Sequence, residues 1–296
     1  MQTGDIHIRD PFVLPVPERG CYYLYGTTGK NCWDGPGGGF DCYHGGDLEN
    51  WEGPLPAFRP PAGFWGTTNF WAPEVHLFQG RCCMLASFKT PGRFRGTQIL
   101  CAPRPEGPFA PISAGPVTPA NWECLDGTLH VDADGRPWIV FSHEWTQVHD
   151  GAICAMRLAN DLTRAAGRPL FLFNASEAPW AVALQGEPSG FPRYVTDGPF
   201  LHRTANGELL MLWSSIGAAG YAMGVARSTS GTVAGPWEQE PQPVWGQDGG
   251  HGMIFRSLAG RLFMALHRPN DTPNERPLFV PIEETGGRLT LTASAG

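Results

Sequence analysis

The sequence predicts an all-β fold, a five-bladed β-propeller, from three observations. Five segments along the 296 residues share one layout, in which a short strand, a turn and a second apolar strand follow one another. The composition combines 39 glycines and 29 prolines with only 17% charged residues, which is typical of many short strands joined by turns. No stretch of useful length has the periodicity of an amphipathic helix.

Each repeat supplies the first two strands of one blade. The predicted strand pairs are 10–14 with 21–25, 72–78 with 82–86, 126–131 with 137–141, 197–202 with 209–213, and 251–256 with 262–266. The repeats begin roughly 50 to 70 residues apart, enough for a four-stranded blade and its loops. Turns at 106–109 and 234–237 introduce outer strands, and 276–291 completes the last blade. No Ser- or Pro-rich linker divides the chain, so residues 1–296 are expected to form a single domain.

Charge and hydropathy argue against two classes of partner. The net charge is -7 and no Lys/Arg-rich run is present, so a nucleic-acid surface is not expected. No apolar run approaches the ~18 residues that span a bilayer, so no membrane partner is expected. The stretch Met1–Asp10 is polar and resembles no signal peptide, which leaves the localisation cytoplasmic or undetermined.

The eight cysteines are expected to be buried free thiols of a reducing compartment. None of them belongs to a C-x-x-C pair, which argues against a zinc site. Several lie within apolar strands, as Cys21 does before Tyr22.

Acidic residues recur near the start of the inner strands. In a propeller these strands line the central channel, so equivalent residues form a ring at one mouth. The predicted ring is Asp10, Glu74, Asp126, Asp197 and His251. Any one of these aspartates alone also fits ordinary turn chemistry, and the histidine alone fits a structural role. Their recurrence favours function, because crowded carboxylates raise one another's pKa, as a general acid requires.

Five motifs in this order resemble glycoside hydrolase family 43. They are Arg9-Asp10-Pro11-Phe12, Trp71-Ala72-Pro73-Glu74, Asp126-Gly127-Thr128 with Asp134-Gly135-Arg136-Pro137-Trp138, Asp197-Gly198-Pro199-Phe200, and Gly249-Gly250-His251-Gly252. The resemblance extends from about residue 5 to residue 285. It implies a five-bladed propeller that hydrolyses arabinofuranosides, xylosides and related sugars with inversion of configuration.

The resemblance also implies roles for individual residues. Asp10 matches the general base, Asp197 the general acid, and Asp126 the carboxylate that tunes and orients the acid. Most members of the family have Glu where this chain has Asp197, so its carboxyl group is one methylene further back. His251 matches a channel histidine that contacts a metal or water in relatives, and Arg268 resembles a basic residue near the acid and the sugar.

The remaining pocket residues are predicted from their positions near these motifs. The candidates for sugar binding are Trp71, Glu74, His143, Glu144 and Arg268, with Trp145 and Phe70 as further aromatic walls. For each aromatic residue, core packing is the alternative. No cofactor is expected to be required, and calcium in the central channel is left open.

The leading functional hypothesis is an exo-acting α-L-arabinofuranosidase on an oligosaccharide or glycoside substrate. A β-xylosidase and a galactofuranosidase are the next alternatives. The stretch Asn31–Gly46, rich in glycine and aromatic residues, is expected to wall the pocket and so favour exo action. Two other classes stay open: a carbohydrate-binding propeller that has lost catalysis, which the Asp197 departure favours, and a scaffold for protein partners.

Overall fold

The chain folds into five antiparallel four-stranded sheets, each formed by consecutive strands, which confirms the predicted five-bladed propeller. A computed structural model describes residues 1–29, 31–185 and 190–292. The first three blades contain β1 Arg9–Val16, β2 Cys21–Thr27, β3 Phe40–Gly45, β4 Glu52–Phe58, β5 Thr68–Phe78, β6 Arg81–Thr90, β7 Arg93–Ala102, β8 Ala110–Pro111, β9 Cys124–Val131, β10 Pro137–His143, β11 Ala152–Arg157 and β12 Leu170–Asn174. The last two contain β13 Asp197–Arg203, β14 Leu209–Gly217, β15 Gly220–Ser228, β16 Trp237–Gln239, β17 Gly250–Arg256, β18 Leu262–Arg268, β19 Arg276–Thr285 and β20 Arg288–Leu291.

Helix is nearly absent from the described residues. One α-helix, α1, spans Trp145–Val148, and single 3-10 turns lie at Thr3–Asp5, Pro17–Arg19 and Ala175–Glu177. None of these helices is long and apolar enough to cross a membrane. The apolar core lies between the faces of neighbouring blades, which buries both faces of each central strand.

Every inner strand carries a β-bulge at the same place in its register. In the first blade, Arg9 pairs with Thr27 and Phe12 with Tyr25, so one extra residue lies on the inner strand. The first bulged residue of each blade has a left-handed φ between 47° and 55°; these residues are Asp10, Ala72, Asp126, Gly198 and His251.

The bulge register corrects the predicted ring. Asp10, Asp126 and His251 are equivalent, as expected, but Ala72 and Gly198 occupy the corresponding places in the second and fourth blades. Asp197 lies one residue before the equivalent position and Glu74 two residues after it. The ring of five equivalent polar residues was therefore wrong in two of its members.

A repeated hydrogen bond links three of the bulges to the preceding blade. The Ala72 N–H donates to Thr27 Oγ1, the Asp126 N–H to Ser87 Oγ and the His251 N–H to Ser214 Oγ, each at 2.8 Å. Thr27, Ser87 and Ser214 pair with the residue before the bulge of their own blade, so the bond is part of the repeat. These acceptors satisfy backbone donors that the ladder leaves unpaired.

We expect Ser87→Ala to lower the free energy of unfolding by about 1–3 kcal/mol, because the buried Asp126 N–H loses its acceptor. Ser142 is the matched control, since it holds the equivalent position in the third blade and its buried hydroxyl has no partner. Denaturant unfolding of both variants checks this. Equal losses for Ser87→Ala and Ser142→Ala would show that the linking bond contributes nothing.

The ring closes where the first blade meets the last. Glu275 is fully buried and accepts hydrogen bonds from Arg9 at 2.5 Å and Thr272 at 2.5 Å, and its other oxygen lies 3.2 Å from His7 Nε2. The Asp10 N–H donates to His267 Nδ1 at 3.2 Å, which repeats the blade-to-blade bond. Closure therefore depends on charged and polar contacts beside the predicted site.

The cysteines differ from the expectation of free thiols. Cys83 on β6 and Cys101 on β7 are directly paired, with 4.2 Å between their Cα atoms, and form a disulfide. The other six are free. Adjacent strands brought these two residues together, which no spacing motif in the sequence indicates.

Candidate active site

A pocket of about 550 Å³ lies at the mouth of the channel where the bulges meet. Asp10, Asp126, Asp197 and His251 all line it, as predicted. Trp71, Glu144 and Trp145, which were predicted as pocket residues, also lie in its wall. Sequence analysis therefore identified the central carboxyl groups and part of the pocket wall.

Asp10 is held as an ionised carboxylate. Its Oδ1 lies 3.1 Å from His251 Nδ1, and its Oδ2 accepts a hydrogen bond from Thr27 at 2.8 Å. Burial acts to raise the pKa of Asp10, but the positive charges of His251 and Arg9 outweigh burial and bring the pKa below its ordinary value. A carboxylate that stays ionised in a buried pocket can accept a proton.

The pKa values of Asp197 and Asp126 are raised, in contrast to that of Asp10. Burial raises the pKa of Asp197, against the lowering effect of His251 and of a 3.0 Å hydrogen bond from Tyr221. Burial also raises the pKa of Asp126, and the charges of Asp197 and Asp10 add to that effect. The Asp126 Oδ2 accepts the Gly198 N–H at 3.2 Å and lies 3.7 Å from His251 Nδ1. These two carboxyls therefore favour the protonated form that a general acid needs.

His251 is positioned by the glycine that follows the predicted acid. Gly198 has a φ of +52°, and a Cβ there would lie 2.6 Å from the His251 ring. Burial acts to lower the pKa of His251, but Asp10 and Asp126 raise it above its ordinary value. The imidazole Nδ1 is shared by the carboxyl groups of Asp10 and Asp126.

Few side-chain oxygens that could bind calcium lie just below His251 in the channel. The next equivalent positions on the inner strands are occupied by Phe12, Glu74, Thr128, Phe200 and Met253. Phe12 crosses the channel, with its ring centroid 6.2 Å from that of Phe200. Calcium takes six to eight oxygen ligands, and at these five positions only the side chains of Glu74 and Thr128 carry oxygen. Among residues 1–29, 31–185 and 190–292, no group of three or more His, Cys, Asp or Glu side chains is arranged to hold a metal ion.

Three predicted sugar-binding residues lie outside the pocket wall. Glu74 is buried and its Oε2 lies 3.0 Å from His76 Nε2. His143 stacks on Trp122 at 4.2 Å between ring centroids. Arg268 is exposed at the end of β18, above the Trp245 ring. The further aromatic candidate, Phe70, packs in the core between the first two blades.

Trp71 is fixed by contacts that the sequence did not reveal. Its indole N–H donates to the Cys32 carbonyl at 2.7 Å, and the Arg95 guanidinium lies 4.2 Å from its ring centroid. Arg95 is buried and forms an ion pair with Glu144. Glu144 is therefore engaged in holding Arg95 beneath the tryptophan.

Two loops join above the first and last blades to form one wall. The Trp33 indole N–H donates to Thr272 Oγ1 at 3.1 Å, and the Arg9 guanidinium lies 4.8 Å from the Trp33 ring centroid. Residues 31–33 and 270–272 line the pocket. Of the predicted wall Asn31–Gly46, only this first part lines the pocket, because Phe40–Gly45 forms β3.

Sequence reasoning missed Arg9, Thr27, Tyr221 and the 270–272 loop, and included Trp33 only as part of the predicted wall Asn31–Gly46. Arg9 precedes Asp10 in the motif Arg9-Asp10-Pro11-Phe12 and could have been found there. The others come from second strands, a third strand and loops, where no repeated signal marks them.

A pocket at a propeller mouth, in which the pKa of one carboxyl is lowered and the pKa values of two others are raised, defines a hydrolase that works by general acid and general base catalysis. The chain belongs to the glycosyl hydrolases family 43, whose model matches residues 5–286. It is thus an inverting glycoside hydrolase. A search of the curated proteins finds no match.

Solved structures agree with this assignment. An endo-arabinase from Bacteroides thetaiotaomicron VPI-5482 is 41% identical with a TM-score of 0.89, and the alignment covers 97% of this chain and 98% of that one. A thermostable family-43 glycoside hydrolase is 24% identical with a TM-score of 0.80, covering 97% and 93%. An endo-1,4-beta-xylanase from Bacteroides thetaiotaomicron VPI-5482 is 23% identical with a TM-score of 0.76, covering 99% and 96%. The last two show the fold alone.

Proposed function

We propose that the protein hydrolyses α-L-arabinofuranosidic bonds at chain ends, with Asp10 as general base and Asp197 as general acid. The observation that carries the catalytic part is the opposite perturbation of the two carboxyls, with the pKa of Asp10 lowered and that of Asp197 raised. The arabinose specificity is supported by the 41% identical relative, which is an endo-arabinase.

The reaction needs two proton transfers on opposite faces of the sugar. Asp197 gives its proton to the glycosidic oxygen as the bond from that oxygen to the anomeric carbon breaks. Water attacks the anomeric carbon from the other face and gives a proton to the Asp10 carboxylate. Asp126 contacts the Gly198 N–H beside the acid and shares His251 with the base, so we assign it the tuning of both.

The joined loops support cleavage at chain ends. The contact between Trp33 and Thr272 closes the side of the pocket above the first and last blades, while Arg9 holds the Trp33 ring from within. A polysaccharide chain that continued through this side of the pocket would collide with the bridge formed by Trp33 and Thr272. A terminal sugar is therefore the ligand that fits, and Trp71 offers it an aromatic wall.

Cleavage within the chain is the second candidate, because the 41% identical relative is an endo-arabinase. Linear arabino-oligosaccharides labelled at the reducing end separate the two modes. Chain-end cleavage gives arabinose from the first minutes, with labelled products shortening one unit at a time. Early products of intermediate length would establish internal cleavage instead.

We expect Trp33→Ala to raise the share of intermediate-length products, since it removes the bridge to Thr272. Trp122→Ala is the control, because Trp122 stacks on His143 and is absent from the pocket wall. If the product pattern of Trp33→Ala equals that of the wild type and of Trp122→Ala, the bridge does not set the cleavage mode. A parallel panel of nitrophenyl arabinofuranoside, xyloside and galactofuranoside tests the sugar, and preference for either of the last two would overturn the arabinose assignment.

A further inference from the structure

Tyr221 lies in the pocket wall beside the proposed acid. It is on β15 and Asp197 is on β13, so β14 lies between them in one blade. The Tyr221 hydroxyl donates to Asp197 Oδ2 at 3.0 Å, and only 3% of the tyrosine is exposed. This contact is with one of the two carboxylate oxygens only.

The tyrosine ring has little freedom to move. It stacks on His267, with 5.6 Å between the ring centroids and 20° between the planes. On another side it lies against Gly250, where a Cβ would come within 2.9 Å of the ring. The Tyr221 carbonyl accepts the Gly249 N–H at 2.9 Å. The glycines before His251 therefore leave space for a tyrosine held at a fixed position.

We infer that Tyr221 is a positioning residue that determines which oxygen of Asp197 carries the catalytic proton. A phenol that donates to Oδ2 makes that atom the acceptor, so the proton of the neutral acid is on Oδ1. Burial keeps the pKa of Tyr221 well above its ordinary value, so the phenol stays a donor. This inference rests on the proposed role of Asp197 as the acid.

The hydrogen bond strengthens as the reaction proceeds. When Oδ1 gives its proton to the glycosidic oxygen, Asp197 becomes a carboxylate, and the bond from Tyr221 becomes charge-assisted. The bond is thus stronger after proton transfer than before it, which is the condition for catalysis. It also holds the shorter aspartate side chain, whose carboxyl is set back by one methylene relative to glutamate.

The test is Tyr221→Phe, assayed on an arabino-oligosaccharide and on nitrophenyl α-L-arabinofuranoside. The oligosaccharide has a poor leaving group and needs the acid, whereas nitrophenolate leaves with little protonation. We expect kcat/KM to fall at least about tenfold on the oligosaccharide and less than about threefold on the nitrophenyl glycoside. The basic limb of the pH profile should move to higher pH, since loss of the donor raises the pKa of Asp197.

Tyr25→Phe is the matched control, because Tyr25 is buried and its hydroxyl donates to the Pro105 carbonyl at 2.7 Å, away from the pocket. It should change neither the ratio between substrates nor the pH limb. The ratio does not depend on the folded fraction, so reduced stability of Tyr221→Phe cannot imitate the result. An active wild type with equal losses on both substrates, or with none, would overturn the inference. A wild type inactive on both would overturn the proposed function and the inference with it.

Discussion

Asp10→Asn is expected to lower kcat by roughly 10²- to 10⁴-fold on every cleaved glycoside, whatever its leaving group. The amide keeps the shape of the carboxyl but cannot accept the proton of the attacking water. Because every substrate requires that water, the loss should be similar for the nitrophenyl glycoside and the oligosaccharide.

The measurement is the initial rate of each substrate at saturating concentration, with circular dichroism to confirm folding. Asp134→Asn is a suitable control, since its exposed side chain lies in the turn between β9 and β10 and pairs with Arg136. If Asp10→Asn retained more than about a tenth of the wild-type rate, Asp10 would not be the base.

Asp197→Asn is expected to separate the two substrates. The variant should lower kcat roughly 10²- to 10⁴-fold on the oligosaccharide, which needs a proton on its leaving oxygen. The loss of kcat on the nitrophenyl glycoside should be far smaller. Burial raises the pKa of Asp197, so the wild type loses activity as the pH rises through that value. Asparagine does not titrate, so the pH profile of the residual nitrophenyl activity should lack the basic limb that Asp197 causes in the wild type.

Rates on both substrates across the pH range check this expectation. The asparagine can still accept the hydrogen bond from Tyr221, which limits other structural change. Equal losses on both substrates, with the basic limb unchanged, would remove Asp197 from the role of acid.

The blade repeat could be predicted because paired strands and turns are local features of the sequence. All five predicted strand pairs form, and Asp10, Asp126, Asp197 and His251 meet at one mouth. The register within the inner strands was harder to predict, because a bulge adds one residue without a fixed sequence signature. An acid before Gly-Pro suggested that Asp197 is equivalent to Asp10, whereas Gly198 occupies that place.

The walls of the pocket depend on contacts between distant segments. Trp33 meets Thr272 only because the first and last blades close the ring, and Tyr221 reaches Asp197 across β14. Glu144 was predicted to bind sugar but is engaged by Arg95, which comes from another blade. Such contacts have no periodic signal in one sequence, and the residues that make them are found only when the ring is assembled.

The central claim, that Asp10 and Asp197 are the base and the acid of one inverting reaction, is tested most directly by comparing the wild type, Asp10→Asn and Asp197→Asn. Each is assayed on nitrophenyl α-L-arabinofuranoside and on a linear arabino-oligosaccharide. The claim predicts that Asp10→Asn loses both activities, whereas Asp197→Asn loses the oligosaccharide activity and largely keeps the nitrophenyl activity. Two variants with the same pattern of losses, or an Asp10→Asn that cleaves both substrates at the wild-type rate, would contradict it.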